Sequence, residues 1–414
     1  MLLLHAADLH LGKTLHERDL SPDQEAMLDR LLELLAEHRP AALLLAGDLY
    51  DRSIPPPEAV RLFDSFLSRA VGADPELVVV AIPGNHDSAA RLSFGTQIMS
   101  RAGVHIRTDC ELCAEPVIVE RGGERAAIWP LPFLGAGSFS VPRAASREPE
   151  ATLPAGDAPS QAELDFGSAA DSAPVGGLRG QAELFAEAMR RILPRLDPSI
   201  RPSYNVLLAH CFAAGGASSG SERAFVGMAE QVDSVPFAAF DYVALGHLHS
   251  FQAVGTTGRY AGSPLAYSFA EGGDAKGFVL VDLKAGGGFR AELLPVVPLH
   301  RMRTLEGAFS VLSAPGAFPE YRGDFVEARL TDAESVLNPA DPLRANFPNL
   351  LSVRQAAFEL SAATQGAATH APGGQNSVTA DFKSFYAEMK GGGPDEETER
   401  LFASLVLEAD HEAL

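Results

Sequence analysis

The sequence predicts an α/β fold with a second sheet packed against the first, and three observations carry that prediction. Residues 1 to 82 alternate short apolar runs with longer stretches of helical period, the pattern of strands interleaved with helices. Clusters of Asp, Asn and His stand immediately after the apolar runs, where sites gather in open α/β sheets. Beyond residue 200 most apolar runs are short and separated by Gly turns, which suits a second sheet lying on the first.

Leu2 to Leu4 is the first expected strand, leading into His5-Ala-Ala-Asp-Leu-His-Leu-Gly12. Ser21-Pro-Asp-Gln24 has the form of a helix start, with a Ser cap, Pro at the first helical position and Gln three residues on. Met27, Leu28, Leu31, Leu32, Leu34 and Leu35 give that helix a buried face, and Pro40 ends it. Ala41 to Ala46 is an apolar strand followed by Gly47-Asp-Leu-Tyr-Asp-Arg52; after Pro55-Pro-Pro57 a second helix is expected to about Arg69. Leu77 to Ile82 is a strand followed by Pro83-Gly-Asn-His-Asp87. Further on, Gln181 to Leu193 reads as a helix, and Tyr204 to Ala209 and Asp241 to Leu245 as strands leading to His210 and to Gly246-His-Leu-His249. If the last strand continues through its histidines, the i and i+2 rings share one face. Gly258 to Ser263, Gly277 to Leu283 and Phe325 to Leu330 complete the expected strands.

The 414 residues divide in this reading into a domain over 1–299, with a low-complexity Ala/Gly/Pro/Ser insertion at 135–180, a capping domain at 300–346, a linker at 347–380 and a helix pair at 381–414. Phe382, Phe385, Tyr386 and Met389 form an aromatic stripe at helical spacing, and Leu401, Phe402, Leu405 and Val406 form a second. Such a pair invites docking onto a partner helix. The apolar runs are too short to span a bilayer, no signal-peptide pattern opens the chain, and three cysteines make no disulfide framework. A cytoplasmic protein with no membrane association is expected. Net charge of −21 disfavours unaided binding to nucleic acid.

Collected in order, Asp8, His10, Asp48, Asn85, His86, His210, His247 and His249 comprise two carboxylates, one amide and five imidazoles. That mixture suits Mn²⁺, Fe²⁺ or Zn²⁺ and is too nitrogen-rich for Ca²⁺. Eight groups exceed the need of one catalytic ion and suit two ions sharing a carboxylate, which clamp a phosphate and acidify a water for phosphodiester hydrolysis. Any one cluster alone is unremarkable: Asp8-x-His10 could cap a turn, Gly84-Asn-His-Asp87 could be only a bend, and His210 could be a core histidine. Their shared placement after strands is the argument. Cys110-x-x-Cys113 has zinc-like spacing but lacks a second pair, and His5 reads as structural.

Asp8-x-His10, Gly47-Asp-x-x-Asp-Arg52, Gly84-Asn-His-Asp87, the later His210 and Gly246-His-x-His249 together resemble the ordered motif set of the calcineurin-like metallophosphoesterases. Asp241-Tyr-Val-Ala-Leu-Gly-His-Leu-His249 and Gly262-Ser-Pro-Leu-Ala-Tyr-Ser-Phe269 narrow the resemblance to the DNA-cutting subunits of bacterial repair complexes. The resemblance covers residues 1 to 300 well and the tail loosely. It implies a two-sheet sandwich in α-β-β-α layers, with a small α+β cap and C-terminal helices. It also implies one metal on Asp8, His10, Asp48 and His249 and another on Asp48, Asn85, His210 and His247, with Asp48 bridging and Mn²⁺ the expected ion. His86 would protonate the leaving oxygen, Asp51 would orient His86 through its carboxylate, and Arg52 and Arg91 would hold phosphate. DNA would be the substrate, and a coiled-coil ATPase the partner through the C-terminal helices. Two other readings stand beside this: a phosphoesterase acting on small nucleotides or phosphoproteins, which the acidic balance favours, and a scaffold subunit with a dead site. Homodimerisation is left open.

Overall fold

A computed structural model of the 414-residue chain describes residues 1–139, 180–196, 204–217 and 231–356, and in the tail residues 382, 383, 386, 393–395, 398, 399 and 402. In chain order its strands are β1 (Leu2–Ala6), β2 (Thr14–Leu15), β3 (Arg18–Asp19), β4 (Ala42–Ala46), β5 (Val78–Ile82), β6 (Val104–Ile106), β7 (Val117–Arg121), β8 (Glu124–Leu131) and β9 (Tyr204–His210). There follow β10 (Tyr242–Gly246), β11 (Gln252–Val254), β12 (Gly258–Tyr260), β13 (Gly277–Leu283), β14 (Phe289–Pro295), β15 (Met302–Gly307), β16 (Phe325–Leu330) and β17 (Leu350–Gln355). The longer helices are α1 (Ser21–His38), α2 (Pro57–Ala73), α3 (Gln181–Ile192) and α4 (Ala340–Asn346).

Two six-stranded sheets form the body, in the orders β14-β13-β1-β4-β5-β6 and β11-β12-β10-β9-β8-β7. Each has four parallel strands, β1, β4, β5 and β6 in one and β8, β9, β10 and β12 in the other, with antiparallel strands at the margins. Leu3, Leu44, Val80, Val206, Leu208, Tyr242 and Val281 pack between the sheets. Leu43, Leu45 and Val79 face outward onto Met27, Leu31, Phe63 and Phe66 of α1 and α2. On the far side Leu207, Val243 and Leu245 pack against Leu184, Phe185 and Met189 of α3. These three apolar layers make an α-β-β-α sandwich. Parallel strands covered on both faces read as continuous apolar runs, which is why Ala-Leu-Leu-Leu-Ala of β4 and Val-Val-Val-Ala-Ile of β5 were legible.

Three expectations need correction. Ser21 does not cap α1: Leu20 is the cap residue, and Ser21 donates to Asp19 through both its amide and its hydroxyl. Gln24, the expected capping-box partner, is buried and bonds instead to the Leu9–Gly12 loop. β10 ends at Gly246, so the paired histidines lie beyond the strand rather than on one of its faces. The stretch expected as linker from 347 begins with β17, which joins β15 and β16 in a three-stranded sheet. Leu350 buries there while its neighbours are half-exposed, an edge-strand pattern too weak to stand out between a helix and a polar segment.

The chain divides into two compact units, residues 1–330 with 338–354, and residues 331–337 with 355–414. In the second, Phe382 stacks on Phe402 with centroids 3.9 Å apart, Lys383 pairs with Glu399 at 2.7 Å, and Asp395 accepts the Thr398 amide at a helix start. Most of the 135–180 insertion, the linker beyond residue 356 and Phe385, Met389, Leu401, Leu405 and Val406 lie outside the described residues.

Candidate metal centre

The site is made where the two sheets pinch together. Ordinary face-to-face sheets lie about 10 Å apart. At the carboxyl ends of β4 and β10 the separation collapses, because glycines stand there. A Cβ on Gly246 would lie 1.9 Å from the Ala46 carbonyl oxygen, and one on Gly84 2.2 Å from an Asp48 carboxylate oxygen. With no side chain in the way, His210 at the end of β9 reaches across and donates from Nδ1 to the Ala46 carbonyl at 2.8 Å.

Three loops are stitched to one another by backbone bonds. The Asp8, His10 and Leu11 amides donate to the carbonyls of Gly47, Asp48 and Leu49 at 3.0, 2.9 and 2.9 Å. Asp87 then accepts the amides of Leu49, Tyr50 and Gly84 at 3.0, 2.9 and 2.9 Å, tying the loop after β4 to the loop after β5. Asp8 accepts the His247 amide at 3.0 Å, which brings in the loop after β10. The backbone is strained to do this. Asp8, His10, Asp48 and His247 have φ of 52°, 44°, 49° and 105°, a region L-residues other than Gly seldom occupy. Strain of this kind, about 1–3 kcal/mol per residue, persists where surrounding bonds over-determine it.

The expected ligands do converge. Asp8, His10 and His249 can place one donor atom each within 4.8 Å of one another, as can Asp8, Asp48 and His210, and His10, Asp48 and His86. His210 Nε2 is 2.9 Å and His247 Nδ1 3.0 Å from Asn85 Oδ1, and His210 Nε2 is 3.6 Å from Asp48 Oδ2. His247 and His249 therefore serve opposite ends of the site, one beside Asn85 and His210, the other beside His10. His86 donates its amide to Asp48 at 2.9 Å, and its Nδ1 lies 2.9 Å from the carbonyl of Asp51. That overturns the expected means of orientation: the Asp51 main chain holds His86, while the Asp51 carboxylate takes Lys13 Nζ at 2.6 Å and stands 3.4 Å from His10 Nδ1. Arg52 is 68% exposed with Nε 3.8 Å from Asp51, and Arg91 is exposed on the helical turn Ala89–Leu92; neither joins the cluster.

The donor set fits divalent cations on electrostatic grounds. His10 Nε2 and His249 Nε2 face each other at 3.2 Å. Their other nitrogens each look at a carboxylate, His10 Nδ1 at Asp51 and His249 Nδ1 at Glu271, 3.3 Å away. A carboxylate accepts, so it selects the Nδ1–H tautomer and leaves a lone pair on each Nε2. Two lone pairs pointing at one another want a cation. Burial pushes the His10 pKa down to about 4 and that of His247 to about 3, so both rings are neutral at about pH 7, the form that binds metal. His247 Nε2 is buried without a hydrogen-bond partner. Burial would raise the Asp48 carboxyl, but the neighbouring His210, His10 and His86 rings hold it at about 2.

Residues 1–143 match the family described as Calcineurin-like phosphoesterase. The chain carries a calcineurin-like metallophosphoesterase domain. The whole chain is similar to the SbcD subunit of the nuclease SbcCD of Staphylococcus epidermidis, 27% identical over 364 residues that cover 87% of each protein. A solved structure, TT1561 of Thermus thermophilus, aligns with 13% identity and a TM-score of 0.37 over 70% of this chain and 98% of its own, a likeness too slight to bear on the fold. The metallophosphoesterase domain also uses residues to which the sequence alone assigned no role. Gln24 Nε2 donates to the His10 carbonyl at 2.7 Å and its Oε1 accepts the Gly12 amide at 2.9 Å. Tyr267 donates its hydroxyl to the Leu9 carbonyl and sets its ring 5.4 Å from that of His10. Asp87 and Glu271 complete the frame. Ser268-Phe-Ala-Glu271 does carry a signal, the S-x-x-E pattern of a helix start, but that pattern points to a turn and not to a site.

Proposed function

We propose that this chain is a two-metal DNA phosphodiesterase, the nuclease subunit of a repair complex, cutting as exonuclease and endonuclease under the control of an SbcC-like coiled-coil ATPase. The observation that carries the metal centre is the 3.2 Å approach of His10 Nε2 and His249 Nε2, each ring backed by a carboxylate. Asp8, His10, Asp48 and His249 would hold one Mn²⁺, and Asp48, Asn85, His210 and His247 the other. Bound there, the ions would supply positive charge to a phosphate and acidify a water. His86, pinned through its amide and its Nδ1, would turn Nε2 toward the leaving oxygen as the proton donor. Arg52 and Arg91, on exposed ground, would meet flanking phosphates.

The DNA substrate, the ATPase partner bound by the C-terminal helices, and a cytoplasmic location rest on the likeness to the SbcD subunit and on the sequence. Among the described residues no helix is long and apolar enough to cross a membrane. The net charge of −21 favours a second reading, hydrolysis of small nucleotides or phosphoproteins. Assay of linear duplex DNA, bis-p-nitrophenyl phosphate and p-nitrophenyl phosphate with Mn²⁺, each with and without the coiled-coil ATPase, separates the two. Cleavage of DNA that the ATPase stimulates and Asp48→Asn abolishes is the expected result. Turnover of the monoester alone would establish the second reading instead.

A further inference from the structure

Glu271 is fully buried and charged, an arrangement proteins avoid unless the charge is paired. Its Oε1 lies 3.3 Å from His249 Nδ1 and accepts the Ser268 hydroxyl at 3.1 Å; its Oε2 accepts Lys276 Nζ at 2.7 Å. Lys276, with 8% of its side chain exposed, spends its other donors on the His249 carbonyl at 2.8 Å and the Ser263 hydroxyl at 2.9 Å. One ammonium thus grips both the main chain of His249 and the carboxylate that meets its ring. Burial alone would raise the Glu271 carboxyl, yet His249 and Lys276 hold it well below the usual range. The other side of the centre repeats the device: Lys13 neutralises Asp51, which faces His10 Nδ1.

We propose that Glu271 and Lys276 are positioning residues for His249, fixing its ring as the Nδ1–H tautomer with the Nε2 lone pair aimed at the metal position shared with His10. The inference rests on the metal-centre reading above. A carboxylate behind a ligating imidazole fixes its tautomer and orientation, and losing it typically costs about ten- to a hundredfold in metal affinity. Lys276 makes the arrangement directional. In Glu271→Gln the amide must choose: oxygen toward His249 puts its NH₂ against the Lys276 ammonium, and NH₂ toward His249 forces the ring into the Nε2–H tautomer, which cannot ligate. Removing the ammonium lifts that conflict.

Calorimetric titration of the metal-free, full-length protein with Mn²⁺ tests this. Wild type is expected to bind two ions, Glu271→Gln to bind one of them about ten- to a hundredfold more weakly, and Glu271→Gln with Lys276→Met to recover most of the loss. If wild type takes up no Mn²⁺, the metal-centre reading falls and takes this one with it. If wild type binds two ions and Glu271→Gln binds both unchanged, or if Lys276→Met brings no recovery, only the inference is overturned. A measurement independent of variant folding is the long-range ¹H–¹⁵N correlation spectrum of the histidine-labelled, metal-free wild type, with His249 assigned through His249→Asn. The Nδ1–H form is expected; the Nε2–H form would refute the assignment.

Discussion

His86 and His10 lie with ring centroids 4.8 Å apart and face different tasks. His10 is fully buried behind Asp51 and Lys13, whereas His86 is half-buried and tied to main-chain groups. His86→Gln is therefore expected to leave Mn²⁺ stoichiometry at wild type and to lower hydrolysis of bis-p-nitrophenyl phosphate by about a hundredfold or more, the usual worth of a general acid. Loss of metal in that variant, seen by calorimetry, would make His86 a ligand. The buried imidazoles also set a pH dependence. Burial lowers His5, His10 and His247 from 6.5 to about 3, 4 and 3. Below pH about 6.5 the unfolded chain takes up protons that the folded rings refuse, so stability falls as pH drops from about 6.5 to about 4. Burial, helped by Asp48, raises Asp87 to about 7, which acts oppositely across that range. Three rings outweigh one carboxyl, and each contributes on the order of 3 kcal/mol. Urea unfolding of the metal-free protein should show a lower midpoint at about pH 5 than at about pH 7.

At the scale of elements, the pinch between the sheets is the demanding feature. Gly246→Ala drives a methyl group into the Ala46 carbonyl, and overpacking of this kind is expected to cost about 3 kcal/mol, the upper end of its usual range, read as the shift in urea unfolding. Asp87→Ala strips acceptors from the Leu49, Tyr50 and Gly84 amides. It should destabilise by about 3 kcal/mol and weaken Mn²⁺ uptake, because the loop carrying Asp48 loses its tie to the loop carrying Asn85. Much of this frame was legible in the sequence. Strands covered on both faces announce themselves as unbroken apolar runs, and ligands placed directly after them stand out in order. What stayed hidden depends on backbone shape or on distant partners. Nothing in Asp8, His10, Asp48 or His247 signals a positive φ, since only glycine advertises that conformation. Gln24 and Ser268-x-x-Glu271 obey helix-start rules locally, while the tertiary structure turns Gln24 and Glu271 toward the metal loops.

For the whole molecule, a chain carrying 54 acidic and 33 basic side chains meets DNA against its own field, so partner and metals must supply the attraction. The two tail helices meet through Phe382 and Phe402. Phe382→Ser should abolish co-purification of the coiled-coil ATPase while leaving hydrolysis of bis-p-nitrophenyl phosphate within about twofold of wild type; retained co-purification would place the ATPase surface elsewhere. The order in which the polypeptide is made adds a consequence of the sheet pairing. β1 lies between β4 and β13, and Leu4 pairs with Leu280. A chain still leaving the ribosome can show Asp8, Asp48 and His86 early, but neither the His247–His249 end nor the strand that seals β1 exists until translation has passed residue 283. Cutting power is thereby withheld from the nascent polypeptide, and a prematurely terminated product is harmless to the genome.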